Sequence, residues 1–182
     1  MIDVILEVGH GQNPDGFEPG ATSGGIWEYD LNWIAAQACR DYLEANDRSC
    51  QITDDDGSLY TLGLEAADAK YFISIHHNAF NSKAQGAECL VHQAKSEAPD
   101  AALAAKIAAY MAHDLGIANR GIKPRSLGVM SGAEDATRHF KYTNAQVLAE
   151  CYFMDAVQHG HERMSARAGR AMGRAILAVD AE

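Results

Sequence analysis

The chain of 182 residues has no apolar run approaching the roughly 20 residues that a membrane-spanning helix needs, so no membrane insertion is expected. Its first residues, Met-Ile-Asp-Val-Ile-Leu-Glu-Val, place no basic segment ahead of the apolar stretch, and that stretch is short for a signal peptide. It reads as a first buried strand, and no export signal of the usual type is expected. Basic residues are few: 15 Lys and Arg stand against 25 Asp and Glu, a net charge of −10. Nucleic-acid binding needs clustered Lys and Arg to neutralise phosphates, so that class is set aside. The same balance disfavours electrostatic docking on anionic membranes or polymers. The four cysteines, Cys39, Cys50, Cys89 and Cys151, include no CxxC pair and read as buried thiols of a reducing compartment. There is no GxSxG element and no catalytic-cysteine signature. Repeats, low-complexity tracts and linkers are also missing, which leaves one domain over residues 1–182.

What is present is an alternation of apolar runs and helical patterns. That pattern defines an α/β domain: a mostly parallel central sheet of about six strands, flanked by helices on both faces. Strands are expected at 4–8, 51–53, 71–76, 88–92, 127–130 and 147–151. Helices are expected at 26–45, 62–69, 98–115 and 162–179, with Gly116 a stop for the third. A polar loop rich in Gly and Pro follows the first strand.

Four features carry chemistry. Gly9-His10-Gly11 closes the first strand, and parallel sheets gather functional groups at carboxyl strand ends. His76 ends the strongly apolar strand Tyr71–His76, in the same topological place. Its neighbour His77 faces the other side of a regular strand, so the two do not share one metal. Glu28 stands near the start of a long helix, where a carboxylate also has a simple explanation in the helix dipole. Glu150 ends the apolar run Val147-Leu148-Ala149, a costly place for a carboxylate without a partner or a metal. Two histidines and two glutamates along one sheet edge suit a catalytic zinc site, which takes three N/O ligands, leaves a position for water and adds a carboxylate as base. By contrast, His159 and His161 read as solvated loop residues, and the run Asp54-Asp55-Asp56 as a solvated turn. His92, His113 and His139 receive no role.

The order and surroundings of these residues resemble a known family. Leu6-Glu7-Val8-Gly9-His10-Gly11, Pro19-Gly20-Ala21 and Glu28-Tyr29-Asp30-Leu31-Asn32 are similar to the opening of the zinc-dependent N-acetylmuramoyl-L-alanine amidases of the amidase-3 type. Phe72 to Phe80, Asn119-Arg120-Gly121-Ile122-Lys123 and Val147-Leu148-Ala149-Glu150 resemble the later motifs. The resemblance implies one zinc ion held by His10, Glu28 and His76, with Glu150 as the catalytic carboxylate. It implies peptidoglycan, a muramyl peptide, as substrate. His77, Asn78, Arg120 and Lys123 are candidates for substrate contact. Three departures stand out: Gln12 to Glu18 is longer than the usual link, Asp54 replaces an arginine, and Ala145-Gln146 replace Pro-Ala.

The setting that goes with this resemblance is a phage or prophage endolysin. Such an enzyme is made in the host cytoplasm, acts as a monomer and reaches the wall after holin-type release. A housekeeping cell-wall amidase and a peptidoglycan-binding module without turnover are the alternatives, with a zinc peptidase as a third. No long insertion separates the His76 and Glu150 motifs, so an open site is expected.

Overall fold

The computed structural model describes residues 2–13, 15–54, 58–140 and 145–181. In chain order the strands are β1 (Ile2–Val8), β2 (Gly11–Asn13), β3 (Gly16–Glu18), β4 (Thr22–Ser23), β5 (Ile26–Trp27), β6 (Cys50–Thr53), β7 (Ala69–Asn78), β8 (Ala87–His92), β9 (Asn119–Arg125) and β10 (Ala145–Phe153). The helices are α1 (Glu28–Glu44), α2 (Leu59–Leu64), α3 (Ala98–Leu115), α4 (Gly128–Phe140) and α5 (His161–Asp180), with short 3₁₀ turns at Glu65–Asp68 and Met154–Ala156. Six strands form the central sheet in the order β6-β1-β7-β10-β8-β9. All neighbours run parallel except β10 and β8. β2 pairs with β3, and β4 with β5, as small ribbons between β1 and α1.

Alternation along the strands sorts side chains onto two faces. Val4, Leu6 and Val8 of β1, Ile73 and Ile75 of β7, and Val147 and Ala149 of β10 pack with Leu31 and Leu43 of α1, Leu103 and Ile107 of α3, and Met172 and Ile176 of α5. Ile5, Phe72, Leu90 and Leu148 point the other way, onto Leu62 of α2 and Val129, Met130 and Ala133 of α4. The expected architecture therefore holds: one α/β domain with helices on both faces.

One of the six expected strands is wrong. Residues 128–130 open α4 instead of forming a strand, and Leu127 lies just ahead of it. Val129, Met130, Ala133 and Ala136 all bury in the smaller core at helical spacing. A short apolar run does not distinguish a strand from a buried helix turn. The sixth strand is β9, an exposed edge strand in which only Ile122 packs on the main core. Its polar residues and Pro124 hide the strand period, and proline is tolerated at an edge. The expected helix at 62–69 is α2 followed by a 3₁₀ turn, and Ala69 already belongs to β7. The cysteines are free; Cys39, Cys89 and Cys151 are buried, and burial pushes their thiols above the ordinary range.

Candidate metal centre

β1, β7 and β10 are adjacent and parallel, so their carboxyl ends meet at one edge of the sheet. His10 follows β1, His76 lies near the end of β7, and Glu150 stands directly beside His76 in the β10 register. Glu28 reaches the same point from the first turn of α1. His10, Glu28 and His76 each offer one donor atom, and those atoms lie within 4.8 Å of one another. Glu28 Oε2 is 3.2 Å from His10 Nε2, and Glu28 Oε1 is 2.9 Å from His76 Nδ1. The two imidazoles meet edge to face at 4.9 Å between centroids. Their side chains keep 21% and 18% exposure, so the pair is not sealed from solvent. Two nitrogens and a carboxylate at this spacing fit a single zinc ion.

The local sequence makes room for these donors. A Cβ on Gly9 would lie 2.2 Å from the His76 ring. A Cβ on Gly20 would lie 2.5 Å from the His10 ring and 2.7 Å from Glu28 Oε2. His10 itself adopts a left-handed backbone, φ 68°, unfavourable for a residue with a side chain and common where function holds it. The backbone also fixes Glu28: the N–H of Ala21 donates to Oε2 at 2.9 Å and the N–H of His77 to Oε1 at 3.1 Å. Glu28 is therefore a carboxylate fixed in place by two backbone donors rather than a simple helix-end charge. Glu18 of β3 brings a carboxylate oxygen within 3.4 Å of His10 Nδ1, the arrangement by which a carboxylate orients a ligating imidazole.

Electrostatics separate the carboxylates. Burial alone would raise Glu28, but the hydrogen bonds with His10 and His76 hold it well below the usual carboxylate range. Burial pushes Glu150 up to about 7, with Glu28 and Glu88 adding to the rise and His76 opposing it. One buried oxygen of Glu150 has no hydrogen-bond partner. An orphaned acceptor is expensive, and at a reactive site that vacancy is where a water or a substrate proton is received. Burial would lower His76, but Glu28, Glu150 and Glu7 raise it to about 9.

The other candidates divide. Asn78 shares the face of His76, and its side-chain amide donates to Glu88 Oε1 at 3.1 Å. Arg120 donates through Nε to Glu88 Oε2 at 2.6 Å and lies over the Phe153 ring at 4.9 Å. Glu88 is level with Glu150, so Asn78, Glu88 and Arg120 form one flank of the centre. Lys123 pairs in register with Leu90, two residues back from that edge, and is not brought to the flank. His77 must also be corrected. It is 1% exposed and points into the opposite face, with Nδ1 2.7 Å from Asn32 Oδ1 and Nε2 3.0 Å from Ser165 Oγ. Asn32 uses its amide N–H on the carbonyl of Gly9, so Oδ1 accepts, Nδ1 of His77 donates, and Nε2 accepts from Ser165. His77 thus ties β7 to α1 and α5 behind the site and cannot touch substrate.

Sequence reasoning missed four of these groups. Glu7 is 2% exposed on the His76 face of the sheet, and its signal was a glutamate inside an apolar strand. Glu88 and Ser165 were not singled out, and Asn32 entered only as the last residue of the motif from Glu28 to Asn32. His161, read as solvated, is buried with Nδ1 3.4 Å from the Tyr152 hydroxyl, whereas His159 is exposed. Asp54 accepts from the Tyr29 hydroxyl at 2.8 Å; Asp55, Asp56 and the side chain of His139 lie outside the described residues.

An α/β domain with an N-O-N donor set at the carboxyl edge of its sheet, and beside it a carboxylate with one unpartnered oxygen, can serve metal-assisted hydrolysis. Residues 4–178 match the family model Amidase_3, N-acetylmuramoyl-L-alanine amidase, and the chain belongs to that family. The N-acetylmuramoyl-L-alanine amidase of Clostridium difficile has the same fold, with a TM-score of 0.76, 21% identity, and 100% of this chain and 98% of that one covered. The catalytic domain of the CD27L endolysin superposes with a TM-score of 0.68 at 17% identity over 98% of both chains. Cwp6 of Clostridium difficile is 25% identical with a TM-score of 0.73; the match covers 97% of this chain and 29% of Cwp6. Among curated protein sequences none matches.

Proposed function

We propose that the chain is a zinc-dependent hydrolase of the amide bond between N-acetylmuramic acid and L-alanine in peptidoglycan. The observation that carries this reading is Glu150: a half-buried carboxylate raised to about 7, with one buried oxygen that has no partner, beside the His10–Glu28–His76 donor set. A zinc ion held there supplies a Lewis acid that acidifies water and polarises an amide carbonyl. Glu150 takes a proton from the attacking water and returns it to the departing alanine nitrogen. Glu18 and the backbone N–H groups of Ala21 and His77 keep His10 and Glu28 oriented through the cycle. Direct attack by water needs no nucleophilic side chain, in keeping with cysteines that are buried or held protonated.

The test is product analysis after digestion of purified peptidoglycan by the zinc-loaded protein. New L-alanine amino termini, with the sugars intact by mass, are expected. New reducing ends would make it a glycosidase, cleavage within the stem a peptidase, and binding without new amines a wall-binding module. The proposed setting is phage-driven lysis by a monomer made in the cytoplasm. Lysis on expression is then expected only when a holin is co-expressed.

A further inference from the structure

The metal centre has two unlike flanks. On the β8–β9 side stand the polar groups Asn78, Glu88 and Arg120. On the β6 side stands a set of aromatic rings. Phe17, on the β2–β3 ribbon, lies 5.6 Å from Trp27 and 5.4 Å, edge to face, from Tyr29; Tyr29 in turn meets Trp33 at 6.4 Å. Phe17 is 42% and Trp27 44% exposed, unusual for rings of this size gathered in one patch. The patch is continuous with the centre: Glu18 follows Phe17 and reaches His10, and Glu28 lies between Trp27 and Tyr29 in sequence.

Two of the chain's departures from the family pattern meet here. The long link from Gln12 to Glu18 supplies Phe17, and Asp54 accepts the Tyr29 hydroxyl and so fixes its ring.

We infer that Phe17 and Trp27, backed by Tyr29 and Trp33, form a saccharide subsite that holds the glycan strand beside the scissile amide. The inference rests on the amidase reading for the identity of the strand. Pyranose rings present weakly positive C–H faces, which stack on the negative faces of aromatic rings. Glu18 and Asp54 border the rings, and the chain carries a net charge of −10, so an anionic occupant is repelled. A neutral sugar is favoured on this flank.

Both tryptophans of the chain, Trp27 and Trp33, belong to the patch, so intrinsic fluorescence reports on it alone. The experiment titrates the zinc-loaded protein with neutral β-linked N-acetylglucosamine oligomers, which share the glycan strand's backbone and carry no lactyl carboxylate. A saturable change is expected in the wild type, weakened about tenfold in Phe17→Ala, in line with the loss of one stacked ring. Phe17→Tyr restores it. In parallel, the ratio of kcat/KM for a long-glycan muramyl peptide to that for a single-sugar muramyl peptide falls about tenfold in Phe17→Ala, mainly through KM. Active protein with no fluorescence response to glycan overturns the subsite and leaves the amidase reading standing. A glycan response in protein that releases no amine does the reverse. Fluorescence that changes with protein concentration in the absence of glycan gives the patch to a second copy of the chain and also overturns the inference.

Discussion

His76 and His77 are neighbours on one strand, and the fold treats them in opposite ways. His76 faces the edge where three acidic groups converge, and those groups raise it to about 9. His77 faces the packed helices; burial drives it down to about 3, and Asn32 and Ser165 take up both of its nitrogens. The difference follows from strand alternation alone. One residue is left free to hold a metal, and the next holds the backbone that carries it, because Asn32 also grips the carbonyl of Gly9 beside His10. A reactive edge is stable here because the groups behind it are fully satisfied.

Substitution of either histidine tests their separate roles. The largest effect is expected from His76→Ala: zinc content drops well below one per chain and amide hydrolysis falls by three orders of magnitude or more, roughly the value of a positioned Lewis acid. Metal analysis beside an amine-release assay reads both. His77→Ala leaves the donor set in place but orphans Asn32 and Ser165 in the core. Stability is expected to fall by about 2–4 kcal/mol, while the refolded variant still binds zinc. A denaturant titration with zinc analysis separates the two histidines; equal zinc loss in both variants would undo the distinction.

A smaller effect is the pH dependence of the metal-free protein. His76 is raised from 6.5 to about 9, so its contribution is complete below pH 6.5 and fades as pH rises through 9. His77 is lowered from 6.5 to about 3, so its contribution is complete above pH 6.5 and fades as pH falls towards 3. The pair therefore favours a stability maximum near pH 6.5. His76→Gln should flatten the alkaline limb and His77→Gln the acid limb in thermal melts. Zinc, which displaces the His76 proton, should also flatten the alkaline limb.

Much of this site was legible in sequence because strand ends are. His10, His76 and Glu150 close apolar runs, and a parallel sheet brings such ends together. Glu28 needed the family resemblance, since a helix-start glutamate has a bland explanation until the N–H groups of Ala21 and His77 are seen to clamp it. What was not legible depends on contacts far apart in sequence. Asn32, His77 and Ser165 lie on three elements, and nothing local marks them as partners. The strand β9 was hidden because an exposed edge has no apolar period. The first turn of α4 was mistaken for a strand because four apolar-rich residues carry no period at all. The Phe17 ribbon was visible only as a loop of unusual length.

In the proposed mechanism Glu150 moves the proton and does not hold the metal. Glu150→Gln keeps the size of the side chain and removes its basicity. Zinc content and release of L-alanine amino termini from peptidoglycan should be measured on the same preparation. The expected result is one zinc per chain with hydrolysis reduced about 10²–10⁴-fold. Loss of zinc together with activity would make Glu150 a ligand, and near-normal hydrolysis would remove it from the chemistry.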